Sequence, residues 1–321
     1  MKRNKLFTIF VGLMVVFALF VGCKGDDDDD DDDVSAYEAM TSYMTDSNLD
    51  LPDILDGWII AADAVQGDED NYYIMDIRAD SVYQRGHLEG AMLSSLGTIL
   101  DDAPGMDKPI LVVCYTGQIA AHAVVALRLS GYADAKVLKF GMSSWNADFD
   151  KWTPNTGDIA IGHTNWTMDA TAGLEMYSEP TITSSSIDGA AILDERIDAM
   201  LAGGFKAVAS SEVLENPGNY HINNYWTQSD VDHYGHIVGA IRVKEDLTLS
   251  AGGFENLNPH ETVVTYCWTG QTSSMVTAYL TILGYDAKSL KFGVNSMIHS
   301  ELESHKWTSS ADYDYVSGGS I

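Results

Sequence analysis

The chain has 321 residues, 45% of them hydrophobic, and its 47 acidic against 18 basic side chains give a formal net charge of −29. That length holds two domains of ordinary size with a leader and linkers, and the apolar fraction is that of a globular protein. A field this acidic repels nucleic acid and anionic membrane surfaces, which argues against both as direct partners and means that any anion site must be built locally.

The chain opens with a basic start, Met1 to Lys5, followed by Leu6 to Gly22, which is apolar or small throughout except for Thr8. This is short for a membrane-spanning helix and has the layout of a secretory signal. It ends in Leu19-Phe20-Val21-Gly22-Cys23, which resembles the bacterial lipobox, with Phe20 where an aliphatic residue is usual. The resemblance implies a lipoprotein signal peptide over residues 1–22, lipidation of Cys23, and membrane contact through that anchor alone. Lys24 after the cysteine, rather than Asp, is compatible with an outer-membrane location on the periplasmic or the surface face. Asp26 to Asp33 bring eight like charges together and bury nothing, which is a solvated tether.

Beyond the tether, Ser35 to Asp56 reads as one or two short helices with Met40, Tyr43 and Met44 on one side. Trp58 to Ala62, Tyr72 to Ile77, Ile110 to Val113 and Ala135 to Lys139 read as strands separated by helical stretches. Strands alternating with helical stretches, most of them apolar throughout, indicate a parallel sheet covered on both faces. Gly157 to Ser186, rich in Thr, Ser, Asp and Gly, reads as a connection. The pattern then repeats. Phe205 to Ala209 answers Trp58 to Ala62, and Gly235-His236-Ile237-Val238-Gly239-Ala240 answers Gly86-His87-Leu88-Glu89-Gly90-Ala91. Lys139-Phe140-Gly141 recurs as Lys291-Phe292-Gly293, and Lys151-Trp152-Thr153 as Lys306-Trp307-Thr308. The fold class expected is α/β, with two tandem units, each a parallel central sheet flanked by helices. The expected division is signal 1–22; lipidated cysteine, tether and helical segment 23–49; first domain 50–155; linker 156–186; second domain 187–312; tail 313–321.

Chemistry is concentrated where each unit carries a cysteine at the end of a strand. Cys114-Tyr115-Thr116-Gly117-Gln118-Ile119-Ala120 returns as Cys267-Trp268-Thr269-Gly270-Gln271-Thr272-Ser273, and each run leads into a helical segment. A thiol reacts as its thiolate. Backbone N–H groups of a tight loop, with the positive end of the following helix, favour a sulfur anion, and Gly117 and Gly270 let the backbone curl around it. Free cysteines are commonly buried and inert. Recurrence in the same glycine loop argues against that reading, more firmly for Cys114 than for Cys267. A bridge between the two is open, although equivalent positions of two repeats usually sit in separate clefts.

Asp76-Ile77-Arg78 after a strand, then Gly86-His87-x-x-Gly90-Ala91, then Cys-x-x-Gly opening a helix, resemble the rhodanese domain in order and spacing. Two copies resemble the tandem sulfurtransferases. The resemblance covers about residues 50–155 and 195–312. It implies five parallel strands per domain, with Cys114 and Cys267 as nucleophiles that take a sulfane sulfur as a persulfide and pass it to an acceptor. The substrate would be a small sulfur compound such as thiosulfate, or a protein carrying a persulfide, and residues 115–120 and 268–273 would cradle the anion. His87 and His236 fall at a structural turn, and Asp76 with Arg78 reads as a structural ion pair. The second copy has Asn224-Tyr225-Trp226 in place of Asp76-Ile77-Arg78.

Neither loop contains a cation, which leaves thiosulfate and a neutral or protein-bound donor both open. The residues six after each cysteine, Ala120 and Ser273, are not the arginine of related phosphatases. No histidine spacing indicates a metal, and no glycine-rich fingerprint indicates a dinucleotide, so no cofactor is expected. The alternative to an enzyme is a binding or sensing module on the same scaffold.

Overall fold

The computed structural model describes residues 34–105 and 107–319; the leader, Cys23 and the aspartate run lie outside the described residues. Two parallel sheets form. The first is five-stranded, in the order β1 (Ile59–Ile60), β5 (Lys136–Leu138), β4 (Ile110–Val113), β2 (Tyr73–Asp76), β3 (Met92–Leu93). The second has the order β7 (Ala207–Val208), β11 (Ala287–Leu290), β10 (Val263–Tyr266), β8 (His221–Asn224). A single parallel bridge, Asn223 to Ile241, stands where the first sheet has its fifth strand. β4 and β10 are buried along their whole length, as strands covered on both faces must be, and each delivers its cysteine at its carboxyl end.

Four helices fix how the sheets sit: α1 (Ala36–Asp46), α2 (Gln118–Leu129), α3 (Gly189–Gly203) and α4 (Gln271–Leu283). The helices that follow the cysteine loops, α2 and α4, pack against each other, and α1 packs on α3. One large apolar core therefore runs from Val112 and Val137 of the first module, through α2 and α4, to Val263 and Ala287 of the second. Each module keeps a smaller core on its outer face. This explains why every residue of α2 except Ile119 is buried, more than an amphipathic surface helix would show. Met40 and Met44 of α1 face the core as expected, but Tyr37 takes the third place and Tyr43 is exposed.

The connecting segments pack closely on the modules they reach. After Trp152 the chain crosses to the second module: Gly157 N–H bonds Asn295 O at 3.0 Å and Ala160 N–H bonds Met297 O at 2.9 Å. It continues as β6 (Trp166–Thr167), antiparallel to β9 (His236–Ile237). After Trp307 the chain crosses back. Ala311 and Tyr313 N–H bond Ser144 O and Trp145 O, and Val316 pairs with His87 in a two-way antiparallel bridge. Tyr313 and Tyr315 meet Trp145 and Phe149 edge to face. Each module thus sends its trailing segment to complete the Gly-His turn of the other. The two crossings meet at Trp152 and Trp307, stacked 6.0 Å apart, with Phe140 and Phe292 edge-on to Trp152 at 4.9 and 5.1 Å.

Candidate functional site

Both cysteines are free and almost closed off, Cys114 at 3% and Cys267 at 2% exposure. The backbone reverses at Gly117 (φ 79°) and Gly270 (φ 74°), left-handed values that glycine accepts without steric cost, and each glycine caps its helix. A second glycine braces each loop from below. A Cβ on Gly141 would lie 2.3 Å from Cys114 O, and one on Gly293 would lie 2.3 Å from Cys267 O. Only a bare backbone fits there. Met142 N–H then bonds Cys114 O at 2.8 Å, and Val294 N–H bonds Cys267 O at 3.1 Å.

The sulfur of Cys114 accepts the Gly117 N–H at 3.1 Å. Burial pushes this thiol up, against the pull of the amides of Ala120, Thr116, Gly117 and Ile119. Burial wins over a cradle of dipoles that favours the anion once formed. Cys267 is held differently. Ser273 N–H donates to its sulfur at 3.3 Å, and its thiol faces Ser273 Oγ at 3.6 Å. Behind that hydroxyl stands Ser289 at 2.8 Å, with Ser274 bonded to Gly270 O at 2.6 Å. The first module has Ala120, Ala121 and Val137 at the corresponding positions.

The residues after the cysteines separate the two sites further. Tyr115 is surrounded by cations: the Arg78 guanidinium lies 5.5 Å and the Lys151 ammonium 5.6 Å from its ring centre, and Arg85 Nη2 is 3.4 Å from its hydroxyl. The loop supplies none, but the neighbouring turns bring three positive side chains to it. Arg78 is mostly committed, paired with Asp76 at 2.6 Å and donating to Gly86 O at 2.7 Å, whereas Arg85 and Lys151 are exposed. Trp268 instead lies in an aromatic stack, with Trp226 at 4.5 Å, Tyr234 at 5.4 Å and His305 at 5.1 Å. Trp226 occupies the place of Arg78, so the exchange of Asp76-Ile77-Arg78 for Asn224-Tyr225-Trp226 turns a charged cleft into an apolar one.

Several sequence candidates are used elsewhere. His87 stacks on Tyr83 at 3.8 Å and bonds Tyr83 O through Nδ1. His236 is held between Ile237 O and Asp169 O. Thr116 and Thr269 hold the side-chain amides of Gln118 and Gln271 at 3.1 and 3.2 Å. Those amides reach the opposite module rather than their own cleft. Of the remaining loop positions, Ile119 is exposed and Thr272 half-buried, each on the first turn of its helix. His122, wholly buried and edge-on to Phe205 at 5.0 Å, is pushed down to about 3 by burial and then by Lys206, which keeps it neutral in the helix interface. Arg85, Lys151 and His305 were the residues that sequence reasoning missed. The repeated Lys-Trp-Thr motif pointed to one of them.

A family profile described as "Rhodanese-like domain" matches residues 61–148 and 218–299. The chain is 30% identical over 86 residues to a thiosulfate sulfurtransferase GlpE from Pseudoalteromonas translucida, covering 26% of this chain and 82% of that one. It is 34% identical over 76 residues to the protein of that name from Shewanella oneidensis, covering 23% and 74%. Among solved structures, SseA from Escherichia coli, described as a 3-mercaptopyruvate sulfotransferase, covers 73% of this chain and 97% of its own at 14% identity, with a TM-score of 0.27.

Proposed function

Because this chain belongs to the rhodanese family, in two tandem copies of the domain, we propose that it is a sulfurtransferase whose principal nucleophile is Cys114. The observation that carries the proposal is the Cys114 sulfur set among loop amides at the head of α2, with two exposed cations beside the flanking Tyr115. In the first half-reaction the Cys114 thiolate attacks the outer sulfur of the donor. The donor's sulfur–sulfur bond breaks, and its electron pair leaves with the remaining fragment, sulfite when the donor is thiosulfate. Cys114 is left as a persulfide anion, stabilised by the amides of residues 116–120. An acceptor thiolate or cyanide then attacks the terminal sulfur, and Cys114 departs as thiolate. No external oxidant or reductant is needed. To test this, the folded protein is treated with thiosulfate, or with a polysulfide, and the two loop peptides are weighed. A gain of one sulfur atom on the Cys114 peptide, removed by cyanide, supports the reading; no gain from either donor refutes it.

Arg85 and Lys151 would draw anionic donors to a protein that otherwise repels them. Replacing both by alanine is expected to raise KM for thiosulfate about three- to tenfold with kcat nearly unchanged, and to flatten the dependence on ionic strength. An unchanged KM would remove them from donor binding.

The aromatic stack around Trp268, the residue after Cys267, favours a second reading for that module alone, a binding or supporting unit on the same scaffold. The leader supports a location at the cell envelope, held by acyl chains on Cys23. Incorporation of labelled palmitate that disappears in Cys23→Ala is the expected result, and incorporation that persists would place the lipid elsewhere or argue for another anchor.

A further inference from the structure

The amides of Gln118 and Gln271 have no role in the sulfur chemistry above, yet both are buried and fully engaged. Gln271, in the second cysteine loop, accepts the backbone N–H of Phe140 of the first module at 2.9 Å. Gln118, in the first loop, accepts the N–H of Phe292 of the second, also at 2.9 Å. Each amide nitrogen is tied back to the threonine of its own loop, Thr116 or Thr269. The fit leaves no spare room. A Cβ on Gly117 would lie 2.4 Å from Gln271 Oε1, and one on Gly270 would lie 2.6 Å from Gln118 Oε1.

The residues being held matter for the sulfur. Phe140 and Phe292 have φ of 62° and 61°, a left-handed backbone that is strained for an aromatic residue and lasts only where its surroundings enforce it. Each is followed by the glycine that braces the opposite face of its own cysteine loop, Gly141 under Cys114 and Gly293 under Cys267. A continuous path thus runs from the Cys267 loop through Thr269, Gln271, Phe140 and Gly141 to the carbonyl of Cys114. A matching path runs the other way through Gln118.

We propose that Gln118 and Gln271 are positioning residues that join the two cysteine loops, so that each cysteine's reactivity is set partly by the loop of the other module. The proposal rests on the reading of Cys114 as a reactive thiol. It assigns the second module a role at the first site whether or not Cys267 turns over.

The test is a crossed measurement on the full mature chain, following iodoacetamide labelling and persulfide gain from thiosulfate peptide by peptide across a pH series. Gln271→Met keeps the shape and removes the acceptor. It is expected to slow Cys114 by about tenfold, the scale of one buried hydrogen bond, and to move its pH profile to higher pH. Gln118→Met should do the same to Cys267. Thr269→Val, a milder change that frees the Gln271 amide without deleting it, should slow Cys114 by about threefold. It carries the test alone if the glutamine variants do not fold. Slowing confined to the cysteine of the substituted loop, or an unchanged Cys114 rate and pH profile in the folded variants, overturns the proposal. Should wild-type Cys114 accept no sulfur from thiosulfate, the sulfurtransferase reading fails, while the iodoacetamide rates still decide the coupling.

Discussion

Sulfur transfer from thiosulfate to cyanide should fall by at least about a thousandfold in Cys114→Ser and keep most of its rate in Cys267→Ser. Losing the nucleophile of a covalent mechanism leaves only binding and oriented dipoles, which accounts for a loss of that size. Serine is nearly isosteric and still accepts the Gly117 N–H, so the loop is preserved and the loss reports on chemistry. The asymmetry follows from the neighbours. Tyr115 has Arg85 and Lys151 beside it, whereas Trp268 is packed among Trp226, Tyr234 and His305. Thiocyanate formation by the two variants, with melting curves to show that both are folded, decides the matter. Equal losses in the two would mean that the sites work in series, and a loss confined to Cys267→Ser would reverse the assignment.

Trp152→Ala should destabilise the protein by about 3–5 kcal/mol, the usual cost of emptying a buried tryptophan site. Trp152 is wholly buried at the crossing and touches Phe140, Phe292 and Trp307, so the cavity opens between the modules rather than inside one. A single domain is commonly stable by roughly 5–15 kcal/mol, which makes this a large share. Both modules should lose stability together, giving one urea transition at a lower midpoint as followed by hydrogen exchange in β4 and in β10. Two separated transitions, with β10 unaffected, would show that the modules stand alone.

The sequence was most informative where physical demands are local. Cys114 and Cys267 each follow an apolar run and precede a glycine, and such short patterns survive in print because strand, turn and helix cap are set by neighbouring residues. The five-strand expectation fits the first module, while in the second the fifth strand shrinks to the Asn223–Ile241 bridge. What could not be read depends on distant partners. Arg85 and Tyr115 meet only because the turn after Tyr83 folds over the cysteine loop. Gln118 and Gln271 looked like cleft residues because they sit beside the sulfur in sequence, but the pairing of α2 with α4 turns their amides outward to the other module. The trailing segments gave the least signal. Residues 157–177 and 309–318 show no helical or strand periodicity, and backbone bonds to another module hold them in place.

The exchange of trailing segments constrains how this gene can change. In a pair of independent domains, a copy whose cysteine falls silent can erode or be deleted at no cost to its neighbour. Here Val316 and Tyr315 complete the turn at Gly86 and His87 of the first module, and they are encoded beyond the second. Deleting the second copy with its trailing segment would therefore strip the partner from the His87 turn of the first. A chain cut after the first module would leave the His87 backbone without its partner at Val316, so the two modules are tied by chain order as well as by the packing of α2 on α4.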